Sequence, residues 1–468
     1  MLFRQLYHSQ LAQASYLIGC QATGEALVVD PLRDIEQYLA AAEREGLRIT
    51  AVTETHIHAD FVSGARELAE RTGATLYLSD AGPADWKYAF AEQAGAVLLR
   101  DRDQFMVGNI RVEAWHTPGH TPEHLVFVVT DTANADAPIG VCTGDLLFVG
   151  DVGRPDLLEK AAGVQGSTEQ AALNLYSSLQ RVRELPEFVQ IWPGHGAGSA
   201  CGRALGAVPQ STLGYELRFN WAFAFDDAAS FAAEVLRGQP APPRYFAAMK
   251  RVNKLGPDLL AELPEPGRRD LASLAQALSE GVQVVDLRPA EQYQQGHVLG
   301  SINLPFAGGF QNWAGWLLDT ERAVGLIGSA DQVAAALVLL QQIGIDRVVS
   351  VWDSALVAEW PQPLAQIAQQ SAAQLEAHAA DFTIIDVRNP DEHAAGSIAQ
   401  SLNIPLSDLR LRLAEIPSEK PIVVHCAAGT RSAIAASVLR AAGFAQVIDL
   451  AGGFAAWQQA ASCFARAA

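Results

Sequence analysis

Four short segments in the first half of the chain carry histidine or aspartate where apolar, strand-like runs end. They are Thr55-His56-Ile57-His58-Ala59-Asp60-Phe61, His116-Thr117-Pro118-Gly119-His120-Thr121, Thr143-Gly144-Asp145 and Trp192-Pro193-Gly194-His195-Gly196. The first places three ligand-type side chains on one loop, and the others each hold a glycine that lets the chain turn sharply. Imidazole and carboxylate on successive strand-end loops point to a metal site on an α/β scaffold. A second chemistry lies near the other end. Pro421-Ile422-Val423-Val424-His425 is an apolar run ending in Cys426, and Ala427-Ala428-Gly429-Thr430-Arg431-Ser432 leads into a helix-like stretch. Backbone N–H donors, the helix dipole and Arg431 favour a thiolate there. Such a thiolate attacks sulfane sulfur and carries it as a persulfide. The same cradle suits sulfite or thiosulfate. A phosphatase loop would need Cys-x₅-Arg, whereas Cys426 to Arg431 is Cys-x₄-Arg.

The elements that must position these residues fall into blocks. Residues 1–225 alternate strands such as Ala26-Leu27-Val28-Val29-Asp30 with helical stretches, and 226–267 form a Pro-punctuated connector with some helix of its own. Residues 268–360 and 365–468 are two copies of one unit. Val285-Asp286-Leu287-Arg288 matches Ile385-Asp386-Val387-Arg388, and Ile302-Asn303-Leu304-Pro305 matches Leu402-Asn403-Ile404-Pro405. Each copy reads as a parallel sheet with helical crossovers. At an offset of 99 residues the equivalent of Cys426 in the first copy is Ile327. Neither Cys nor Arg follows in Gly328-Ser329-Ala330-Asp331-Gln332, so this copy is expected to be silent, a spacer or dimerisation surface.

Composition narrows the class. The chain has 468 residues, 49% of them hydrophobic, and a net charge of −19. At roughly 150 residues per domain this length suggests about three domains. So acidic a surface repels phosphate backbones and anionic lipids, which argues against nucleic-acid and membrane partners. The five cysteines are widely spaced without a C-x-x-C, which excludes a disulfide framework. Neither a signal-like N-terminus nor a membrane-length apolar run is present, so a cytoplasmic protein is expected.

Residues 1–225 resemble the metallo-β-lactamase fold, an αββα sandwich whose signature is Thr-His-x-His-x-Asp-His with later His, Asp and His ligands. Phe61 replaces the last signature histidine, which serves the second metal in two-metal members. The resemblance extends to the iron-ligand positions of the persulfide dioxygenase branch and implies one Fe(II) per chain. His56, His120 and Asp145 would hold it, a two-His-one-carboxylate face with open positions for O₂ chemistry. His58, Asp60 and His195 then orient ligands or substrate, or else serve a second metal. Arg154 and Asp156 either hold the domain together or touch substrate. Cys201 is either a small buried hydrophobe or a thiol near the substrate. Tyr215 and Arg218 lie in a segment similar to the family's substrate side.

The last 200 residues resemble tandem rhodanese domains. Asp386-Val387-Arg388, Glu392, Gly396, the Cys426–Arg431 loop and Gly452-Gly453-Phe454-x-x-Trp457 carry the likeness, with Ser397 in place of the common His. The whole chain therefore resembles a persulfide dioxygenase–rhodanese fusion: an N-terminal αββα sandwich followed by two doubly wound parallel-sheet domains. This implies a small thiol persulfide (of glutathione, coenzyme A or similar), O₂ and sulfite or thiosulfate as reactants. It also implies sulfide detoxification and a dimeric or tetrameric homo-oligomer. The alternative is a glyoxalase II-like two-metal thioesterase fused to a sulfurtransferase, which Phe61 disfavours.

Overall fold

Strands covered on both faces need unbroken apolar runs, and this sequence has them. Gln13–Cys20, Leu125–Asp131 and Gly140–Gly144 are buried along their whole length. The computed structural model describes the 468 residues apart from 158, 160–165, 204, 240, 241, 244 and 468, and the side chains of 461–467. Pro240, Ala241 and the Cys463 side chain thus lie outside the described residues. The chain divides into two units, Met1–Leu263 with Gln341–Gly344, and Pro264–Leu340 with Ile345–Ala468. Among the described residues no helix is long and apolar enough to cross a membrane.

The first unit holds two six-stranded sheets. One runs in sequence order: β1 (Leu2–His8), β2 (Gln13–Cys20), β3 (Glu25–Val29), β4 (Arg48–Thr53), β5 (Thr75–Ser79), β6 (Val97–Leu99). The other comprises β7 (Gln104–Val107), β8 (Ile110–His116), β9 (Leu125–Asp131), β10 (Gly140–Gly144), β11 (Gln190–Pro193) and β12 (Ser211–Thr212), again with sequential neighbours. Tyr16, Leu27 and Val29 of the first sheet share a core with Val112, Phe127 and Trp192 of the second. The first sheet's other face packs with the helices Glu36–Arg44 and Ala65–Thr72, and the second's with Thr168–Val182 and Ala228–Val235. That is an αββα sandwich.

The second unit contains two five-stranded, all-parallel sheets of the same order. The first has β13 (Gly267–Arg268), β14 (Gln283–Asp286), β15 (Ile302–Asn303), β16 (Val324–Gly328) and β17 (Val348–Asp353) in the order 13-17-16-14-15. The second has β18 (Ala368–Gln370), β19 (Thr383–Asp386), β20 (Leu402–Asn403), β21 (Ile422–His425) and β22 (Val447–Leu450) in the order 18-22-21-19-20.

Register corrects one alignment. Asp286 pairs with Ile327, and Asp386 pairs with His425. Ile327 is therefore the counterpart of His425, and Gly328 stands where Cys426 stands. The following helices begin at Ala330 and Thr430. Only Ser329 separates Gly328 from its helix, whereas Ala427, Ala428 and Gly429 separate Cys426 from its own. A constant offset missed this because the offset is 100 at Asp286, 98 at Gly328 and 100 again at Ala330.

Candidate metal centre and sulfur-transfer loop

The loop after β4 delivers His56, the loop after β8 delivers His120, and the end of β10 delivers Asp145. One ligand atom from each lies within 4.8 Å of the other two, and all three residues are buried. His120 Nε2 is 3.4 Å from Asp145 Oδ2. Close backbone packing holds the carboxylate. A Cβ on Gly153 would stand 1.8 Å from the Asp145 carbonyl oxygen, and one on Gly194 would stand 2.7 Å from Oδ1.

Each imidazole is turned by a contact on its other nitrogen. Thr55 Oγ1 donates to Asp30 Oδ2 (2.9 Å) and so accepts from His56 Nδ1 (3.0 Å). The carbonyl of Arg154 accepts from His120 Nδ1 at 3.1 Å. Both rings therefore turn Nε2 and its lone pair into the cluster. Burial, with repulsion from neighbouring imidazoles, holds His56 well below the usual histidine range, and burial lowers His120 as well. Neutral imidazoles of this kind can ligate. Both Asp145 oxygens are buried without a hydrogen-bond partner. A buried carboxylate in that condition costs several kcal/mol unless a cation meets it, so these residues fit a divalent metal.

The remaining candidates divide. Asp60, His195 and Cys201 form a second buried group within 4.8 Å of one another. His195 donates Nδ1–H to the Ala12 carbonyl (3.1 Å), and its Nε2 lies 3.2 Å from Asp60. Burial, then the Asp60 and Asp145 charges, raise the Cys201 thiol well above its ordinary value, and burial raises Asp60. His58 belongs to neither group. Its Nε2 contacts Asp30 Oδ1 at 3.0 Å. Burial pulls His58 down, but the carboxylates of Asp30, Glu54 and Asp60 outweigh it and bring the ring to about 9. Phe61 is fully buried with its ring 4.3 Å from that of His58.

Arg154 is fully buried. It grips Asp156 with two bonds (2.7 and 2.8 Å) and donates to the Ala200 carbonyl (3.0 Å), tying its loop to the one bearing Cys201. Tyr215 and Arg218 are exposed on the helix Leu213–Phe219. No described hydrogen bond ties either side chain to the cluster. Glu216 is the inward residue of that helix and accepts from Gly150 and Asn220 (2.9 Å each).

Four positioning residues escaped the sequence reading. Asp30 accepts from the Thr55 amide (2.6 Å) and hydroxyl and contacts His58. His124 accepts the Asp145 amide at Nε2 (3.1 Å) and donates Nδ1–H to Thr117 (3.0 Å). Glu123 accepts the Ile57 amide (2.8 Å), and burial lifts its carboxyl to about 7. Asn253 bonds the carbonyls of His58 and Phe61 (2.8 and 2.7 Å) from the helix Tyr245–Leu255. Asp30 carried a signal: it ends an apolar strand, as the recognised candidates do.

In the last domain, Cys426 is buried at the end of β21, and its Sγ accepts the Gly429 amide at 3.1 Å. Gly429 has φ +114° and caps the helix Thr430–Ala441, a conformation that favours glycine. Arg431 makes two bonds to Glu392 (2.7 and 2.8 Å). Glu392 and Cys426 both raise the guanidinium, which stays charged.

Comparison with known proteins agrees with this layout. The Metallo-beta-lactamase superfamily model matches residues 9–195, and the Rhodanese-like domain model matches residues 270–357 and 368–460. A crystal structure described as a metallo-beta-lactamase from Staphylococcus aureus is 43% identical, covering 75% of this chain and 99% of that one at a TM-score of 0.69. The bovine mitochondrial persulfide dioxygenase ETHE1 is 29% identical over 42% of this chain and 68% of its own length. A hydroxyacylglutathione hydrolase of Nitrosococcus oceani is 34% identical over 42% and 66%. The chain spans 60–62% of the length of two beta-lactamase hydrolase-like proteins of Xylella fastidiosa. The chain belongs to the metallo-beta-lactamase superfamily, extended by two rhodanese-like domains. This arrangement matches a persulfide dioxygenase–rhodanese fusion.

Proposed function

We propose that the chain is a cytoplasmic, homo-oligomeric enzyme that oxidises a low-molecular-weight thiol persulfide with O₂ and couples the product to sulfur transfer through Cys426. One observation supports the first half above others. Asp145, doubly unpartnered, faces two neutral imidazoles while Phe61 leaves the second-metal position without its histidine. His56, His120 and Asp145 would hold one Fe(II), which when bound supplies activation of O₂ and an open position for sulfur. The balance is RSSH + O₂ + H₂O → RSH + HSO₃⁻ + H⁺. The terminal sulfur is oxidised, and both O₂ atoms end in sulfite. Arg154 and Asp30 hold ligand-bearing loops, and the buried walls exclude bulk water. His58, Asp60 and His195 orient substrate or ligands around that face.

Cys426 takes the sulfane sulfur of a second persulfide, releasing the thiol and becoming Cys-S-SH. Sulfite then attacks the outer sulfur, giving thiosulfate and the free cysteine. The Gly429 amide and the helix N-terminus stabilise the charge on sulfur in both steps. The reverse direction would feed persulfide to the metal domain. Residence on one chain raises the effective concentration of the shared intermediate.

The test is anaerobic purification with metal analysis, followed by O₂ uptake on glutathione persulfide. Expected are about one iron per chain, O₂ consumption and sulfite or thiosulfate, all lost in His120→Ala. Two zinc per chain with S-lactoylglutathione turnover would overturn the reading in favour of the thioesterase.

A further inference from the structure

The two rhodanese-like folds of the second unit line an open cavity of about 450 Å³. One wall is the Cys426 loop, through Ala428, Gly429 and Thr430, together with Asp449; the silent copy lines the other with Glu291 and Gln294 among its residues. The reactive loop thus opens onto a space that the silent copy helps to build.

The charge of that space is one-sided. In the active copy Glu392 is neutralised by Arg431. The silent copy has Gln292 at that helix position; its Glu291, one residue earlier, lines the cavity and is exposed without a described ion pair. Asp449 adds a further acid. It is 2% exposed and accepts from Gln294 of the silent copy at Oδ2 (2.9 Å), while its Oδ1 has no hydrogen-bond partner. Burial raises its carboxyl. A cavity lined by an exposed carboxylate on one wall and a buried, half-satisfied one on the other suits a cation.

We propose that this cavity binds the ammonium group of the thiol that carries sulfur to or from Cys426, with Asp449 and Glu291 as its counter-charges. Carriers with a free α-ammonium, of the cysteine or γ-glutamyl type, are then preferred over carriers whose remote end is anionic or acylated. The silent copy becomes a specificity wall of the active one. This rests on the reading of Cys426 as the sulfur carrier.

The experiment uses the full-length, metal-loaded chain and two matched donors, cysteine persulfide and N-acetylcysteine persulfide, which differ in the ammonium. Thiosulfate formation from added sulfite is followed. The expected kcat/KM ratio favours cysteine persulfide by about tenfold. In Glu291→Gln the ratio falls several-fold, and in Glu291→Gln with Asp449→Asn it approaches one. Equal use of both donors by the unmodified chain, or a ratio unchanged in the exposed-site variant Glu291→Gln, overturns the proposal. Two controls keep the underlying reading separate. Transfer from thiosulfate to cyanide needs no thiol carrier, and its persistence in Cys426→Ser would overturn the Cys426 reading alone. Titration with S-methylcysteine and N-acetyl-S-methylcysteine reads the ammonium preference without turnover, and equal binding of the two overturns the cavity proposal even where transfer is active.

Discussion

The two rhodanese-like copies share a framework and differ at one loop. In each, the Asp of the Asp-x-Arg motif is buried and gripped by its Arg, with Nη2–Oδ2 distances of 2.6 Å in both. In each, the strand-end Asn donates to the backbone carbonyls of that Asp and Arg, at 2.9 Å twice in the silent copy and at 3.0 and 2.9 Å in the active one. What differs is the stretch between strand and helix. The active copy opens it with three residues and a left-handed glycine, so an amide reaches Sγ. The silent copy closes it: Ser329 and Gln332 bond each other's amides across the first helical turn (3.3 and 3.1 Å), a capping box. Those helix-end donors are already satisfied and cannot cradle an anion. Framework residues hold a sheet together, and loop geometry decides whether it does chemistry.

The most severe break of this contrast is Cys426→Ser, which converts the active copy to a silent one. Thiosulfate formation should fall at least about a thousandfold, to background, while O₂ uptake at the metal domain persists. If O₂ uptake also vanished, two independent sites would be the wrong description. The reciprocal exchange sharpens it. Gly328→Cys in the Cys426→Ser background should restore less than about one per cent of transfer, because a thiol without free amides gains little nucleophilicity. Lengthening the loop by two residues as well is the variant expected to raise it. The shared framework predicts a shared cost. Asp286→Ala and Asp386→Ala should each destabilise the second unit by about 3–5 kcal/mol in urea unfolding, since each strands a largely buried arginine. A loss confined to one copy would show that the frameworks are not equivalent.

The smallest effect is one of pH. The silent copy keeps a histidine after its glycine, His297, where the active copy has Ser397. Burial lowers His297 from 6.5 to about 4. On acidification the unfolded chain takes up that proton first. The contribution is therefore intact above about pH 6.5 and is lost as pH falls towards 4. Urea midpoints should drop over that window, and His297→Gln should flatten the drop.

Much of this was legible before any coordinates. Clustered histidine and aspartate on strand ends foretold His56, His120 and Asp145 as neighbours, because loops at one edge of a sandwich converge. Internal repetition foretold two sheets of identical order. The positioning residues were harder to read. Asp30 and His124 act through a neighbour's hydrogen bond, and Asn253 reaches the site from a helix some 190 residues away in sequence. No local pattern encodes such a contact. The slip from Ile327 to Gly328 had a similar origin: an offset counts residues, whereas a ladder of backbone hydrogen bonds counts positions in space.

The carbonyl that orients His120 belongs to Arg154, and the carboxylate anchoring the His56 loop belongs to Asp30. During synthesis, the first histidine pair emerges on its loop long before Asp145 and the Arg154 carbonyl exist. A metal captured at that stage would meet two imidazoles, one of them drawn aside by Asp30, and no carboxylate from β10. The full set of His56, His120 and Asp145 therefore comes together only once the sandwich has closed.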